Sequence, residues 1–505
     1  MNRHFLPLDG VDNDPVPSHA YGRFDHIELD AGGNALVAFD LVKAHWIKRM
    51  GIENELFSLE GSPGQAQLWR LFYERQQKER LPNPFESMNV YRLEIELRND
   101  EEWFGMAAPG DGEGLDHRLA AMEEHWVDFQ ITEARIGDAG EQGTRGHLYR
   151  RMFNEPSSVI VNGALVTAPV ARSLSTIFSL SHLPLIDQND FEQLLSREVL
   201  AEWLGVFDVG QGNACALLEE SVQGVSAPRL YFDLGAGVYR NQHTTPADLE
   251  FGFYSSPPVV LSHWDSDHWA GAYIADVFGE YPALKLKWIA PLQTVGPTHI
   301  AFANDVRKAR GEFLIYSPQG SQSVGKAQLG DGRILRFMRG SGYDRNNSGL
   351  VMTIEDQHAP IARSWILTGD CDYKHFMTGL APKGTIALIA PHHGATLSSN
   401  NEIPKPNGPY RRLIYSFGKG NKHGSTHVTH PTSDGVLAHS AKDWVHDAWK
   451  LYDPGFPLAE GDVRSTCEHY PGTQRGGILV GWVEPQAQIL VMRTFKSAIT
   501  SMNQT

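Results

Sequence analysis

Between Trp203 and Asn421 the chain runs through a series of short apolar stretches, most of them ending in glycine and a polar residue. In order they read WLGVFDVGQGN, RLYFDLGAG, PPVVLSHWDSDHWAG, KLKWIAP, EFLIYS, RILRFM, NNSGLVMTI, SWILTGDCD, TIALIAPHHGA and RRLIYSFGKGN. Runs of this length and composition read as strands. Helix-like pieces such as THIAFANDVRKARG and YKHFMTGL fall between some of them, and a final pair, GGILVGW and AQILVMRTF, reads as a hairpin. Strands that repeatedly place polar groups at their ends predict packed sheets that hold a site on their loops.

The first 200 residues have a different texture. Helical periodicity (HWIKRM, QLWRLFYERQQKERL) alternates with strand-like runs (NVYRLEIEL, SSVIVNGALV), and the loops AAPGDGEGLD and GDAGEQGTRG are rich in glycine and acid. The mixture predicts an α+β domain, with DFEQLLSREVLAEWL leading into a second domain near residues 195–202. A chain of 505 residues is in any case too long for one ordinary core. Charge divides at the same place. Residues 1–200 carry 18 Lys and Arg against 32 Asp and Glu, whereas residues 201–505 carry 26 against 28. The acidic domain has no catalytic motif, so it is expected to stabilise or restrain its neighbour, or to recruit a regulatory protein. No apolar run reaches the length of a membrane span, and no basic-then-apolar leader opens the sequence. Cys215, Cys371 and Cys467 are few and scattered. These features predict reduced thiols, a cytoplasmic setting and no membrane partner.

The chemistry concentrates in VVLSHWDSDHWAGA, which places His263, Asp265, Asp267 and His268 within six residues, directly after an apolar run. A divalent metal needs ligands converging from separate loops, with carboxylates ionised and imidazoles neutral. His263 and Asp265, spaced i and i+2, point the same way from an extended turn, and Asp267 and His268 turn towards a second ion. Asp370 ends the strand WILTGD, and His392 and His393 end ALIAPHH. One carboxylate between two cations is the usual economy of a dinuclear centre. The expected cofactors are therefore two divalent metal ions bridged by Asp370, with either His392 or His393 completing the second site.

HWDSDH resembles the HxHxDH signature of the metallo-β-lactamase superfamily, with aspartate for the second histidine. The whole series is similar to one branch, the metallo-β-lactamase domain of the competence protein ComEC. VFDVGQGNA resembles its opening DVGQGDA, with Asn213 where aspartate is usual. YFDLGAG matches the next strand, NNSGLV its N-x-x-S-L-V element, ILTGD its bridging-aspartate strand and APHHGA its PHHGS turn. The resemblance covers about residues 203–496 and none of the first 200. It implies an α/β fold, an αβ/βα metallo-β-lactamase sandwich over residues 201–505, with the N-terminal α+β domain over residues 1–200 as an addition. It also implies that Asp233, beside Asn213, supports the ligand loop, and that Asp267 and Asp370 are catalytic. Asp267 would orient a hydroxide shared by the metals. Asp265 hardens the first site, so the metals are zinc or manganese.

The sequence departs from the pattern further. The third-motif histidine is replaced around Asn346, and the N-x-Y-G-H-P element is stretched to NKHGSTHVTHP. In that stretch Asn421, His423, His427 and His430 either contact substrate or metal or form a solvated loop. The multi-span membrane channel of ComEC is absent.

Residues 301–350 hold eight basic and four acidic residues, among them Arg333, Arg336, Arg339 and Arg345. Arg411, Arg412, Lys419 and Lys422 surround the strand leading to Asn421. Basic side chains on loops beside metals suit a phosphate-bearing substrate. Together with the resemblance they predict a metal-dependent phosphodiester hydrolase, a nuclease with DNA or RNA as its nucleic-acid substrate. The alternatives are a small-molecule phosphodiesterase or other metallo-hydrolase, and a degenerate domain that serves as a binding module. Trp264 and Trp269 either stack a base or buttress the loop.

Overall fold

The computed structural model describes residues 1–8, 14–30, 32–52, 70, 74, 78, 83–98, 103–106, 115–134, 143–196, 199–220, 226–274, 280–318, 323–357, 359–423, 428–446, 461–467 and 477–484. Contacts divide the chain into two units. The first is Met1–Pro184 with Gln293–Arg310 and Lys422–Val428; the second is Leu185–Leu292, Gly311–Asn421 and Thr429–Thr505.

In the first unit, strands β1 (His19–Leu29), β2 (Ala35–Lys43), β3 (Val90–Leu97), β4 (Trp126–Glu133), β5 (Thr144–Tyr149) and β6 (Ser157–Leu165) close into a barrel. The order is β1-β2-β3-β5-β6-β4. Side chains alternate across a strand, so every second residue enters the barrel. Val37, Phe39, Leu41, Leu93, Ile95, Val127, Phe129, Val159 and Val161 form its interior. The expected strands NVYRLEIEL and SSVIVNGALV are β3 and β6, and HWIKRM lies in the helix Ala44–Met50. Of QLWRLFYERQQKERL only Arg70, Glu74 and Lys78 are described, and each is helical; residues 107–114 and 135–142 of the acidic loops lie outside the described residues. The helix Pro297–Lys308 also belongs to this unit. Asp40 on β2 accepts the Thr298 N–H at 2.8 Å, which places a carboxylate at the positive end of that helix.

The second unit holds two sheets. Its strands are β7 (Leu185–Ile186), β8 (Trp203–Val206), β9 (Ala214–Glu220), β10 (Ser226–Leu234), β11 (Val259–Val260), β12 (Lys287–Pro291), β13 (Glu312–Tyr316), β14 (Gly325–Gln328), β15 (Ile334–Arg339), β16 (Leu350–Asp356), β17 (Arg363–Leu367), β18 (Thr385–Ile389), β19 (Arg412–Tyr415), β20 (Val463–Ser465) and β21 (Ile478–Val480). One sheet has the order β21-β8-β9-β10-β11-β12-β13-β7, the other β14-β15-β16-β17-β18-β19-β20. Every apolar run picked out between Trp203 and Asn421 carries one of these strands.

The two sheets share one core. Leu217, Phe232, Val260 and Ile289 of the first pack in a cluster with Met352, Ile354, Trp365, Leu367 and Ile414 of the second. The intervening Val351, Ile366, Leu413 and Tyr415 pack with Tyr373, Phe376, Val436 and Trp444 on the other face. Burial on both faces explains why these runs are continuously apolar rather than alternating. The unit is thus mixed α/β. It begins earlier than residues 195–202 because β7 pairs in parallel with β13, and because Phe191, on the helix Gln188–Leu195, packs 4.3 Å from the ring of Phe337. β21 pairs with β8, while AQILVMRTF, its expected hairpin partner, lies outside the described residues. All three cysteines are free and buried. Among the described residues no helix is long and apolar enough to cross a membrane.

Phe129 is fully buried in the barrel, with ring centroids 5.0 Å from Phe39 and 5.3 Å from Phe104. Phe129→Ala is expected to cost about 3–5 kcal/mol of stability, read as a lower urea midpoint. A loss below about 1 kcal/mol would show that this interior is not close-packed.

Candidate metal centre

The candidate ligands stand at the carboxyl ends of parallel strands. β10 to β13 run parallel, as do β17 to β20. Asp233 lies at the end of β10, His263 to His268 follow β11, Asp370 follows β17, and His392 and His393 follow β18. Parallel strands end along one edge, which brings together side chains far apart in sequence.

Asp233 organises the site. It is fully buried and held at φ 61, in the left-handed region that few non-glycine residues enter. Its carboxylate accepts the Ser262 N–H (2.6 Å), the Ser262 hydroxyl (2.8 Å), the Asn213 amide (2.9 Å) and His268 Nδ1–H (2.8 Å). Because the Ser262 hydroxyl donates to Asp233, its oxygen is left to accept His263 Nδ1–H at 3.0 Å. Gly369, at φ 55, makes room for this serine: a Cβ there would sit 2.5 Å from the Ser262 Cβ. His393 Nδ1 donates to the Ser416 carbonyl at 2.8 Å. It reaches that position from a turn in which His392 and His393 both have positive φ, 46 and 55.

With Nδ1 committed in all three imidazoles, each ring in its neutral form offers the lone pair of Nε2. His263, His268 and His393 Nε2 are buried and make no hydrogen bond. They converge on Asp370, at 3.7, 3.3 and 3.9 Å from its carboxylate oxygens, and His392 Nε2 approaches to 4.0 Å. His393 Nε2 lies 3.3 Å from Asp267 and His263 Nε2 lies 3.6 Å from Asp265. These separations are long for hydrogen bonds. The two shortest, His268 to Asp370 and His393 to Asp267 at 3.3 Å, match the edge of a tetrahedron about 3.3–3.5 Å long drawn around an ion with bonds of about 2.0–2.1 Å, and the others are longer.

The electrostatics agree. Burial disfavours a charged His268, but Asp370, Asp233 and Asp267 outweigh it and raise its pKa well above the usual imidazole range. Burial likewise works against a charged Asp370, yet His268, His393, His263 and His392 hold its pKa well below the usual carboxylate value. Two of the donor sets that close within 4.8 Å lie here, His263, His268 and Asp370, and Asp267, His268 and His393. The residues therefore fit a divalent ion.

The remaining expected residues separate. Asp265 is bonded through Oδ1 to Arg345, whose Nη1 is 2.8 Å away. Arg345, one of the basic side chains expected to meet phosphate, is buried against Asp265. His430 is buried with its ring 5.0 Å from His392, and Asn421 fixes that loop by bonding both the His430 carbonyl (2.6 Å) and its N–H (2.8 Å). Asn421 thus positions the loop. His423 falls in the first unit, where its Nδ1 is 3.5 Å from Glu28 and it gathers with Glu28 and His26 rather than with the residues of this centre. His427 lies outside the described residues. The Asn346 carbonyl accepts the Gly349 N–H in the turn before β16. Trp264 and Trp269 are buried, bonding Pro291 and Trp264 carbonyls and, for Trp264, stacking on Phe313. They buttress the loop. Ser262 and Ser416 were missed, and only Ser262, directly before His263, carried a positional hint.

Asp233→Asn is expected to lower metal affinity about 10–100-fold, because an amide N–H would face His268 Nδ1–H and loosen the ring. Competition against a metal-binding dye measures this, and an unchanged affinity would remove Asp233 from its role. None of the family models, curated proteins or solved structures compared with the chain matches it, so the chemistry of this centre rests on its own atoms.

Proposed function

We propose that the chain is a metal-dependent phosphodiester hydrolase built on a metallo-β-lactamase αβ/βα sandwich, with nucleic acid as its substrate. The observation that carries this reading is the set of three buried imidazoles whose Nδ1 atoms are occupied and whose bare Nε2 atoms surround Asp370. Two sheets around one core, with the centre at the strand ends, support the fold assignment. The imidazoles suit zinc and the carboxylates suit manganese.

A divalent ion bound there supplies Lewis acidity towards a phosphoryl oxygen and a lowered pKa for water. The chain does the rest. Asp233 and Ser262 hold two imidazoles in one tautomer, and Ser416 holds a third. Asp267 is the most exposed of the acidic ligands, 26% accessible, and so is the carboxylate placed to orient an incoming nucleophile. His392, 23% exposed and with the buried ring of His430 5.0 Å away, is the imidazole most open to a substrate.

A small phosphodiester is the second reading, and a specific observation favours it. Arg333, Arg336 and Arg411 are engaged by Asp331, Glu355 and Asp462, so fewer guanidinium groups face a polymer than the sequence suggests. Purified protein supplied with manganese or zinc should cleave DNA or RNA, and Asp370→Ala should lose at least about 100-fold of that activity. Cleavage should weaken steeply as salt rises. Equal, salt-insensitive turnover of a small phosphodiester would favour the second reading. Full activity of the Asp370→Ala variant would end both.

A further inference from the structure

The two halves of the centre are unequal. On one side Asp267, His268 and His393 close within 4.8 Å of one another beside Asp370. On the other, His263 gathers with His268 and Asp370, whereas Asp265 is in neither closed set among the described residues. Asp265 has instead a cation of its own. Arg345 Nη1 donates to its Oδ1 at 2.8 Å, and the Arg345 side chain is only 2% exposed.

We propose that Arg345 takes the place of the first cation, so that the centre holds one divalent ion, at Asp267, His268, His393 and Asp370, rather than two. This rests on the metal-dependent reading above. Three physical points lead to it. A guanidinium is permanently charged and cannot relieve crowding by losing a proton. A divalent ion seated between His263 and Asp265 would lie against that fixed positive charge, in surroundings where screening is weak. Asp265, once paired, no longer needs a metal to offset its buried charge, whereas among the described residues the cationic partners of Asp267 and Asp370 are imidazoles. A guanidinium offers charge and N–H donors but no coordination position. Under this arrangement only one side of the centre can activate water, and the other can pair with an anionic oxygen.

The test is metal content in full-length protein. Protein stripped with chelator, reloaded with manganese or zinc and desalted should retain one equivalent. Loaded with manganese(II), it should give the electron paramagnetic resonance pattern of an isolated ion. Arg345→Ala, which leaves Asp265 without its partner, should retain two equivalents and show a spin-coupled pair. Asp265→Asn reads the same question if Arg345→Ala does not fold: the proposal expects it to stay at one equivalent. Two equivalents in the unmodified protein would overturn the proposal while leaving the metal-dependent reading in place. One equivalent in both the unmodified protein and a folded Arg345→Ala variant would overturn the role of Arg345. A loss of metal in Asp265→Asn would also overturn it. No bound metal of either kind in the unmodified protein would overturn the metal-dependent reading itself, and this proposal with it.

Discussion

Everything at the candidate centre depends on one carboxylate, Asp233. An ionised carboxylate without water is costly unless its oxygens are hydrogen-bonded. Asp233 meets that condition with four donors, drawn from Asn213, from Ser262 twice and from His268. Those donors lie ahead of β9 and behind β11, so satisfying the charge also ties the strands together at the edge where the ligands emerge. Its own backbone is held at positive φ to point the carboxylate inward. Asn213, standing where the resembling branch has aspartate, fits this geometry. An amide can donate to Asp233, whereas a second ionised carboxylate would repel it.

Much of the second unit was legible because the signal is local. A short apolar run bounded by glycine and polar residues reads as a buried strand, and each such run carries one. Polar residues gathered at the ends of those runs then pointed to His263, Asp265, Asp267, His268, Asp370, His392 and His393, and the strand ends do bring them near one another. The pairing of Arg345 with Asp265 was not legible. It joins residues 80 positions apart, and nothing around Arg345 in sequence distinguishes it from Arg336 or Arg339, which face other partners. Ser416 acts through its backbone carbonyl, a group every residue possesses, so composition could not single it out.

The first unit shows the same limit from another side. Its alternating strands were visible as strands, but closure of the barrel requires β4 to pair with both β1 and β6, and a long-range pairing leaves no local mark. The helix Pro297–Lys308 is further from prediction still. Its seat on Asp40 joins residues 258 positions apart, across a sequence whose texture otherwise belongs to the second unit. Charge and hydrophobic pattern change near residue 200, whereas contacts change at residue 184 and cross back twice.

The centre also carries an excess of negative charge. Asp233, Asp265, Asp267 and Asp370 surround the imidazoles, and Arg345 answers one of them. Buried ions of like sign this close are tolerated only with positive charge among them. In the metal-free chain the available source is protons on the imidazoles, which is why the carboxylates drive the His268 pKa upward. A proton on Nε2 and a metal ion on Nε2 are mutually exclusive, so the two compete for the same lone pair. The Nδ1 partners settle which outcome is preorganised. They occupy the other nitrogen of His263, His268 and His393, fix the ring planes, and leave each Nε2 to close a donor set with a carboxylate, His263 and His268 with Asp370, and His268 and His393 with Asp267.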